Sequence, residues 1–537
     1  MQTRVLGGEG GRRGFFGGSH GRTRTAGLIG VAALGAVATI VLQAAGLVLT
    51  VAALAVVYLA TVRTHRGSPL ARWQARRRWA ERRRTGTDCF APVADRPAEL
   101  AAAARGGRRQ RAAAIRAYNA YRDWPDGAEG MHWLARGRGE PGIAWHTPTG
   151  EDAYLSVAFA VEGQIRGIES DTFLDTAMTA WGELLARYGS PSLLPNRVQS
   201  LTRVVPVDSA YHEAWVWEHL DDTGAPPALV ASYDEVVRLV ARSGLMQRHY
   251  VVVRWPLTPA FLAAAARRGP AQAGWRTLMR AEVDAVRSHL GSAKLGQVAA
   301  VSAAQLAAVL RHMQQPSWPI DQAADVDVDA PWLPSRDELS ATVVTSPGPD
   351  GQLEQWWHRT ALLPIEAVET GPRTSLWLAP LLSALPHPIV RTLSLQTEIV
   401  PAAEARQVAR TDVTTDLADL AAQRDKGVLT SEELAAGLSA ARSRLEDLRP
   451  GSGQHGAGWA GHLTISARSR DALIDATAKV TEAAGNAGIA ALSWLDTQQA
   501  AASACTWPIA RGMRPVEPAA GSRVRGLLTG SGDKEAI

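Results

Sequence analysis

Residues 27–62 run for 36 positions without a charged side chain, and arginine is dense on both sides of the run. As one helix the run would rise about 54 Å at 1.5 Å per residue, against a bilayer hydrocarbon core of about 30 Å. Two short spans fit better, residues 27–42 and 47–62, turning at Gln43-Ala44-Ala45-Gly46. Residues 1–26 carry Arg4, Arg12, Arg13, Arg22 and Arg24 against Glu9. Residues 63–84 carry nine arginines against Glu81, among them Arg63, Arg66, Arg72, Arg76, Arg77 and Arg78. Arginine-rich flanks stay on the cytoplasmic side, so the expected form is a transmembrane hairpin with both ends cytoplasmic. That reading places a multi-pass protein in the inner (plasma) membrane, its large domain in the cytoplasm. The lipid bilayer is then a partner, met by the flanking arginines. A cleaved signal peptide fits worse, because the apolar part is too long and an arginine block follows it.

Charge is unevenly distributed. The chain is formally +5, yet the arm is +4 and residues 63–84 are +8, which leaves residues 85–537 at −7. A basic pI near 9.4 therefore describes two short segments and gives little support to nucleic-acid binding by the folded part. Only Cys89 and Cys505 are present, far apart and outside any C-x-x-C, which points to a reducing compartment and away from zinc or a disulfide framework.

After the apolar run, residues 63–141 read as a basic helical stalk and linker, with Trp73 and Trp79 set among the arginines. A solvated basic helix is the plain alternative to an interfacial anchor. From residue 142 the pattern alternates strands and helices. Residues 142–315 and 354–512 each show the order β-α-β-(helical insert)-β-α-β, the split βαβ arrangement of ferredoxin-like folds. Ser170 is placed to cap a helix over residues 171–188. Residues 316–353 read as an acidic linker; Asp325-Val326-Asp327-Val328-Asp329 lacks the glycine and closing glutamate of a calcium loop. The second insert, residues 402–447, turns at Lys426-Gly427 and restarts at Thr430-Ser431-Glu432-Glu433, so it reads as an antiparallel helical hairpin. An apolar stripe of Leu417, Leu420, Leu434 and Leu438 is expected to close it. Residues 513–537 read as a disordered tail. The expected fold class is α+β: a transmembrane hairpin, then two ferredoxin-like domains with helical inserts.

Catalytic signatures are missing. The chain contains no Gly-Lys dipeptide, so it has no phosphate-cradling loop with its lysine. Its one G-x-S-x-G, at Gly17-Gly18-Ser19-His20-Gly21, lies in the arm with no strand or helix to build a nucleophile elbow. His212 and His219 stand seven residues apart on a helical segment, about 10 Å along its axis, too far for one ion. No catalytic, metal or cofactor residue is assigned.

Gly11-Arg12-Arg13-Gly14-Phe15-Phe16-Gly17-Gly18 resembles the segment preceding the membrane hairpin in an actinobacterial family of conjugation-associated membrane proteins, known by a streptomycete locus tag. The carboxy-terminal run resembles the end of the non-motor domain of conjugation ATPases. It passes through Leu393, Pro401-Ala402-Ala403-Glu404-Ala405-Arg406 and Gln498-Gln499-Ala500-Ala501-Ala502 to Trp507-Pro508-Ile509. The family resembles a fusion of the small two-span subunit of type IV secretion with the non-motor half of the secretion ATPase. The resemblance implies a non-catalytic inner-membrane scaffold of a conjugation-like DNA-transfer apparatus, docking a separate motor ATPase beside other secretion subunits and self-associating. Glu404, Arg406, Arg410, Arg424, Glu432 and Glu433 on the insert, with Trp507 and Pro508 where the resembled chains enter the motor, are the docking residues it suggests. The E-type membrane component of type VII secretion is the second expectation; a membrane-tethered adaptor or an unrecognised enzyme is the third.

Overall fold

The computed structural model describes residues 4–6, 22–61, 69–100, 108–164, 169–190, 192–207, 210–220, 224–320, 326–349, 351–385, 389–425 and 432–513. Gln43, at φ 48°, breaks the apolar run into two antiparallel helices, α1 (Arg22–Leu42) and α2 (Ala44–Thr61). They pack closely at glycine: a Cβ on Gly35 would lie 2.1 Å from Thr50 Cγ2, and one on Gly46 2.2 Å from the Ala38 carbonyl oxygen. Among the described residues no helix is long and apolar enough to cross a membrane. This corrects the expected transmembrane hairpin and the multi-pass inner-membrane placement built on it. The physical reason is length: the turn falls where the sequence places it, but the described apolar stretches on either side, 28–42 and 44–60, rise only about 22 and 25 Å, short of a hydrocarbon core of about 30 Å. The flanking arginines lose the spans they were to flank. Arg12, Arg13, Arg63 and Arg66 lie outside the described residues. Arg22 and Arg24 belong to the first turn of α1, and Arg72, Arg76, Arg77 and Arg78 are exposed on α3 (Pro69–Thr85).

A small antiparallel pair joins β1 (Arg4–Leu6) to β13 (Gly371–Arg373), so the amino-terminal arm contributes a strand. The remaining strands form one 14-stranded sheet. In its first half, β6 (Tyr154–Val161), β7 (Arg197–Pro206), β8 (Leu245–Pro256) and β9 (Val298–Ala300) lie in the order β9-β6-β8-β7. In the second, β12 (Leu353–Leu363), β14 (Val390–Val400), β15 (Gly456–Ala467) and β16 (Ser493–Trp494) lie in the order β16-β12-β15-β14. Numbered within each half, both orders are 4-1-3-2, the split βαβ order. The halves meet edge to edge, β7 antiparallel to β14, from Arg391↔Val204 to Glu398↔Arg197. Because the two strands run oppositely, the helical inserts that follow them leave the sheet at opposite ends. The first is Ala210–His219 with Pro227–Ser243; the second is Ala402–Asp425 with Glu432–Asp447.

Two segments expected as linkers are strands of this sheet. Residues 316–353 supply β10 (Ser335–Asp337) and β11 (Thr342–Pro347), which extend the second half through β12. The segment read as stalk and linker supplies β2 (Cys89–Pro92), β3 (Tyr121–Arg122) and β4 (Met131–Ala135). β4 pairs with β5 (Ile143–His146) beside β6, while β2 and β3 continue from β10. Acidic composition around β10 and β11, the basic stalk around β2 and β3 and the Gly/Pro-rich residues 124–142 around β4 concealed these short strands, which are held by distant partners and carry little periodicity of their own. The tail 514–537 lies outside the described residues.

One alternate set of strand residues is apolar. Leu155, Val157, Phe159, Val251, Val253 and Trp255 pack beneath the helices Asp171–Tyr188 and Ala271–Ser292. Leu393, Leu463 and Ile465 pack beneath Arg470–Asn486. Ser170 caps the first of these helices, accepting from the Phe173 N–H. The opposite face turns inward for a geometric reason. The path from β3 to β4 crosses twelve strands, about 53 Å if laid flat at 4.8 Å per strand. Arg122 and Met131 are nine Cα steps apart in the chain and cannot be more than about 31 Å apart. The sheet must therefore curl until its margins approach, forming a trough. Phe90 from one margin and Met131 from the other share one core cluster with Trp332 and Trp507. Gly127, in the connection between the margins, sits at φ 90°, and a Cβ there would lie 2.6 Å from Ala504 Cβ and 2.9 Å from the Ala501 carbonyl oxygen. Gly139, at φ 77°, has nothing within 4 Å. Gly139→Ala should cost about 1 kcal/mol from backbone strain alone, and Gly127→Ala about 3 kcal/mol because the trough filling must also move. Equal urea midpoints for the two variants would show that the connection does not press on the filling.

Candidate functional site

The trough is lined by polar residues at alternate strand positions, which the pairing registers arrange in rows. Thr360, Thr464, Thr392 and Arg203 stand opposite one another across β12, β15, β14 and β7. Thr342, His358 and Ser466 form the next row across β11, β12 and β15. All seven are buried. Such groups are costly without partners, about 1–3 kcal/mol each, and most of them find partners inside the trough.

Direction can be assigned to these bonds. Thr506 donates to the Ser503 carbonyl (2.8 Å), so it accepts from Thr464 (2.8 Å), which in turn accepts from Thr360 (2.8 Å). His358 donates its Nε2–H to the Gln314 carbonyl (2.9 Å), leaving Nδ1 to accept from Ser466 (2.8 Å). That Ser–His pair has the spacing of a nucleophile and its base. Burial lowers His358 to about 4, however, and the adjoining cavity of about 20 Å³ admits one water-sized occupant. A serine activated at neutral pH needs a stronger base and room for a substrate, so this pair acts as a structural clasp.

The main occupant of the trough is the chain's own segment 497–513, together with the helix Ala303–Gln314. Gln199 reads the segment with both ends of its amide: Nε2 donates to the Trp507 carbonyl (2.9 Å), and Oε1 accepts from the Ala510 N–H (2.8 Å). Gln396 donates to the Arg511 carbonyl (2.7 Å), and Tyr154 to the Ile509 carbonyl (2.8 Å). Gln499 accepts from the Thr360 N–H (2.7 Å). Arg511 in turn donates to the carbonyls of Gly127 and Glu129 in the connection between the margins. Trp507 is 5% exposed and stacks on Trp332 at 5.6 Å, and Pro508 is buried. The expectation that Trp507 and Pro508 present a docking seat is thus corrected: their apolar surfaces are used inside the trough.

Arg82 fastens α3 to this assembly. Its guanidinium pairs with Asp126 and, at 2.8 Å, with Asp337, and donates to the Thr497 carbonyl at 3.0 Å. Burial pushes Asp337 up to about 6, against the pull of Arg82. Burial also pushes the Cys505 thiol up to about 12 and raises Cys89; both cysteines are free. Among the described residues no group of three His, Cys, Asp or Glu side chains could hold a metal ion.

The insert hairpin is the expected docking element that does reach the surface. Glu404 and Arg410 are exposed. Arg406 is half-buried, its Nε donating to the Leu448 carbonyl (2.8 Å) and bracing the hairpin at its root. Only the backbone is described at Arg424, Glu432 and Glu433. Ala409, Leu438 and Ala441 close the helix pair, whereas Leu417, expected in the closing stripe, is 41% exposed. Sequence reasoning missed Arg82, Gln199, Arg203, Gln396 and Arg511. Alternation such as Thr392-x-Ser394-x-Gln396 and His462-x-Thr464-x-Ser466 was the available signal, but it reads as a solvent-facing strand face. No protein-family model and no curated protein matches this chain.

The buried groups make stability depend on pH. Burial lowers His358 and His462 to about 4, and His146 and His312 well below 6.5. Each histidine's contribution is complete above its unfolded value of 6.5 and is lost as pH falls toward the folded one. Asp337 has the opposite sign: its contribution is complete below 3.8 and is lost as pH rises through about 6. Four groups outweigh one, so the urea midpoint should fall on acidification from about pH 6.5 to 4.5; His358 and His462 each take away on the order of 3 kcal/mol of unfolding free energy over their full range. Asp337→Asn should steepen the fall. A midpoint that is flat or rises on acidification would contradict these assignments.

Proposed function

We propose that this chain is a non-catalytic scaffold of a conjugation-like DNA-transfer apparatus, and that a separate motor ATPase docks on it. The observation that carries this reading is the second insert, Ala402–Asp425 with Glu432–Asp447. It leaves the end of β14 as an antiparallel helix pair carrying charge (Glu404, Arg410) and uncovered apolar side chains (Val408, Leu417). A rim of charge around apolar anchors suits recognition of another protein. The polar interior supports the same reading, since its hydroxyls, amides and imidazoles are engaged in holding the chain's own segments. So does the lack of any phosphate-binding loop, which leaves energy conversion to a partner. The resemblance of the carboxy-terminal run to the non-motor half of secretion ATPases supplies the class of partner.

Replacing residues 404–446 by a short Gly/Ser linker tests the proposal without disturbing the trough. A motor ATPase of the conjugation class co-expressed with this chain should co-purify with the full-length protein and be lost from the variant, while the variant keeps the unfolding free energy of the parent within about 1 kcal/mol. Retention of the ATPase by the folded variant would overturn the docking assignment.

A further inference from the structure

The first insert follows β7 as two helices, Ala210–His219 and Pro227–Ser243. On the second of them Leu229, Tyr233, Val236 and Leu239 recur at steps of four, three and three. At about 100° per residue these positions fall within an arc of about 120°. No charged residue lies inside that arc, and Glu235 stands outside it. Val230 and Val237 fall to one side of it and are half-buried; with Val216 and Leu220 they line a cavity of about 30 Å³ between the two helices. The Tyr233 hydroxyl is hydrogen-bonded to the His212 ring at the edge of this contact. The first helix therefore covers one side of a wide apolar surface and leaves the other side open. Leu229 is 62% exposed, Tyr233 42%, Val236 53% and Leu239 65%.

Together these four side chains expose roughly 400 Å², as much as the largest apolar patch of an ordinary monomer. Their spacing is that of a seam along which one helix packs on another. We propose that Pro227–Ser243 is a dimerisation helix, seated on the same helix of a second copy of this chain. A two-fold axis at Val236 makes the seam complementary to itself. Val236 then meets Val236 of the second copy, and Tyr233 lies opposite its Leu239, aromatic on aliphatic, at both ends of the contact. With no charge in the arc, closing the contact buries no ion. Two such faces with their rims reach roughly 1,200 Å², the area at which specific interfaces begin. The second insert leaves the sheet at the opposite end, so this pairing is independent of what docks there.

Two measurements on the full chain test this surface. In sedimentation equilibrium the parent should pass from monomer to dimer at micromolar concentrations. Val236→Glu, which sets two carboxylates against each other at the axis, should weaken the dimer at least about tenfold. A short bismaleimide should link Val236→Cys into a covalent dimer, because the axes of packed helices lie about 8–10 Å apart. Ala231→Cys, exposed on the far side of the same helix, should give no more crosslinked product than the parent, whose free Cys89 and Cys505 set the background. Should Val236→Glu lose its fold, the crosslinking pair decides. A parent that stays monomeric, a dimer unmoved by Val236→Glu, or equal crosslinking at positions 231 and 236 would each overturn the proposal. Capture of the parent but not of Val236→Glu by phosphatidylglycerol vesicles, with no crosslink at position 236, would make lipid the occupant and overturn it as well.

Discussion

The connection between β3 and β4 is the constraint on which the rest of the structure depends. It allows the margins of a twelve-strand path to stand no more than about 31 Å apart, where a flat sheet would need about 53 Å. Once the sheet curls, one of its faces becomes an interior. That face is lined with Thr, Ser, Gln, His and Arg, which water can no longer reach and which must be answered by protein. Segment 497–513 and the end of the helix Ala303–Gln314 answer most of them. Arg511 closes the circuit by binding the carbonyls of Gly127 and Glu129 in the same connection that bends the sheet. Curvature, filling and tether are therefore one device.

This device divides the molecule into a part that holds and a part that presents. Inside, side-chain amides hold backbone: Gln199, Gln396 and Gln499 each pair with main-chain groups distant in sequence. Outside, the inserts leave the joined strands at opposite ends of the sheet, each at the same point of its own split βαβ unit. The curled sheet thus sets the separation and direction of two helical projections, a geometry that the proposed scaffold role would use. α3 is drawn into the same frame by Arg82, which bonds to Asp126, Asp337 and the Thr497 carbonyl.

Elements with strong local signals were legible in the sequence. The helix over residues 171–188 with its Ser170 cap, the strand over 390–400 and the position of both helical inserts followed from periodicity and turn chemistry. What depends on partners far along the chain was not. β10 and β11 lie in a stretch that reads as an acidic linker, and β4 in one that reads as Gly/Pro-rich, because strands of three to six residues acquire their identity from the strand beside them. The pairing of β7 with β14 joins residues nearly two hundred positions apart and leaves no local trace. Trp507 and Pro508 were read as presented for docking, although an apolar Trp-Pro-Ile run more simply signals burial. The apolar run at 27–62 carried the strongest signal of all. The turn at Gln43 was legible in it, but the two helices on either side are not long and apolar enough to cross a membrane.

The central claim is that the carboxy-terminal segment is a permanent part of the interior, clamped by Gln199, and not a surface strap. Native-state hydrogen exchange at the Ala510 amide tests this most directly, because that N–H has Gln199 Oε1 as its acceptor at 2.8 Å. An amide held in this way should exchange only when the sheet as a whole opens, with the same free energy as the β14 and β15 amides. Gln199→Leu should speed its exchange. Exchange of the Ala510 amide at the rate of an exposed loop, while the strand amides stay protected, would contradict the claim.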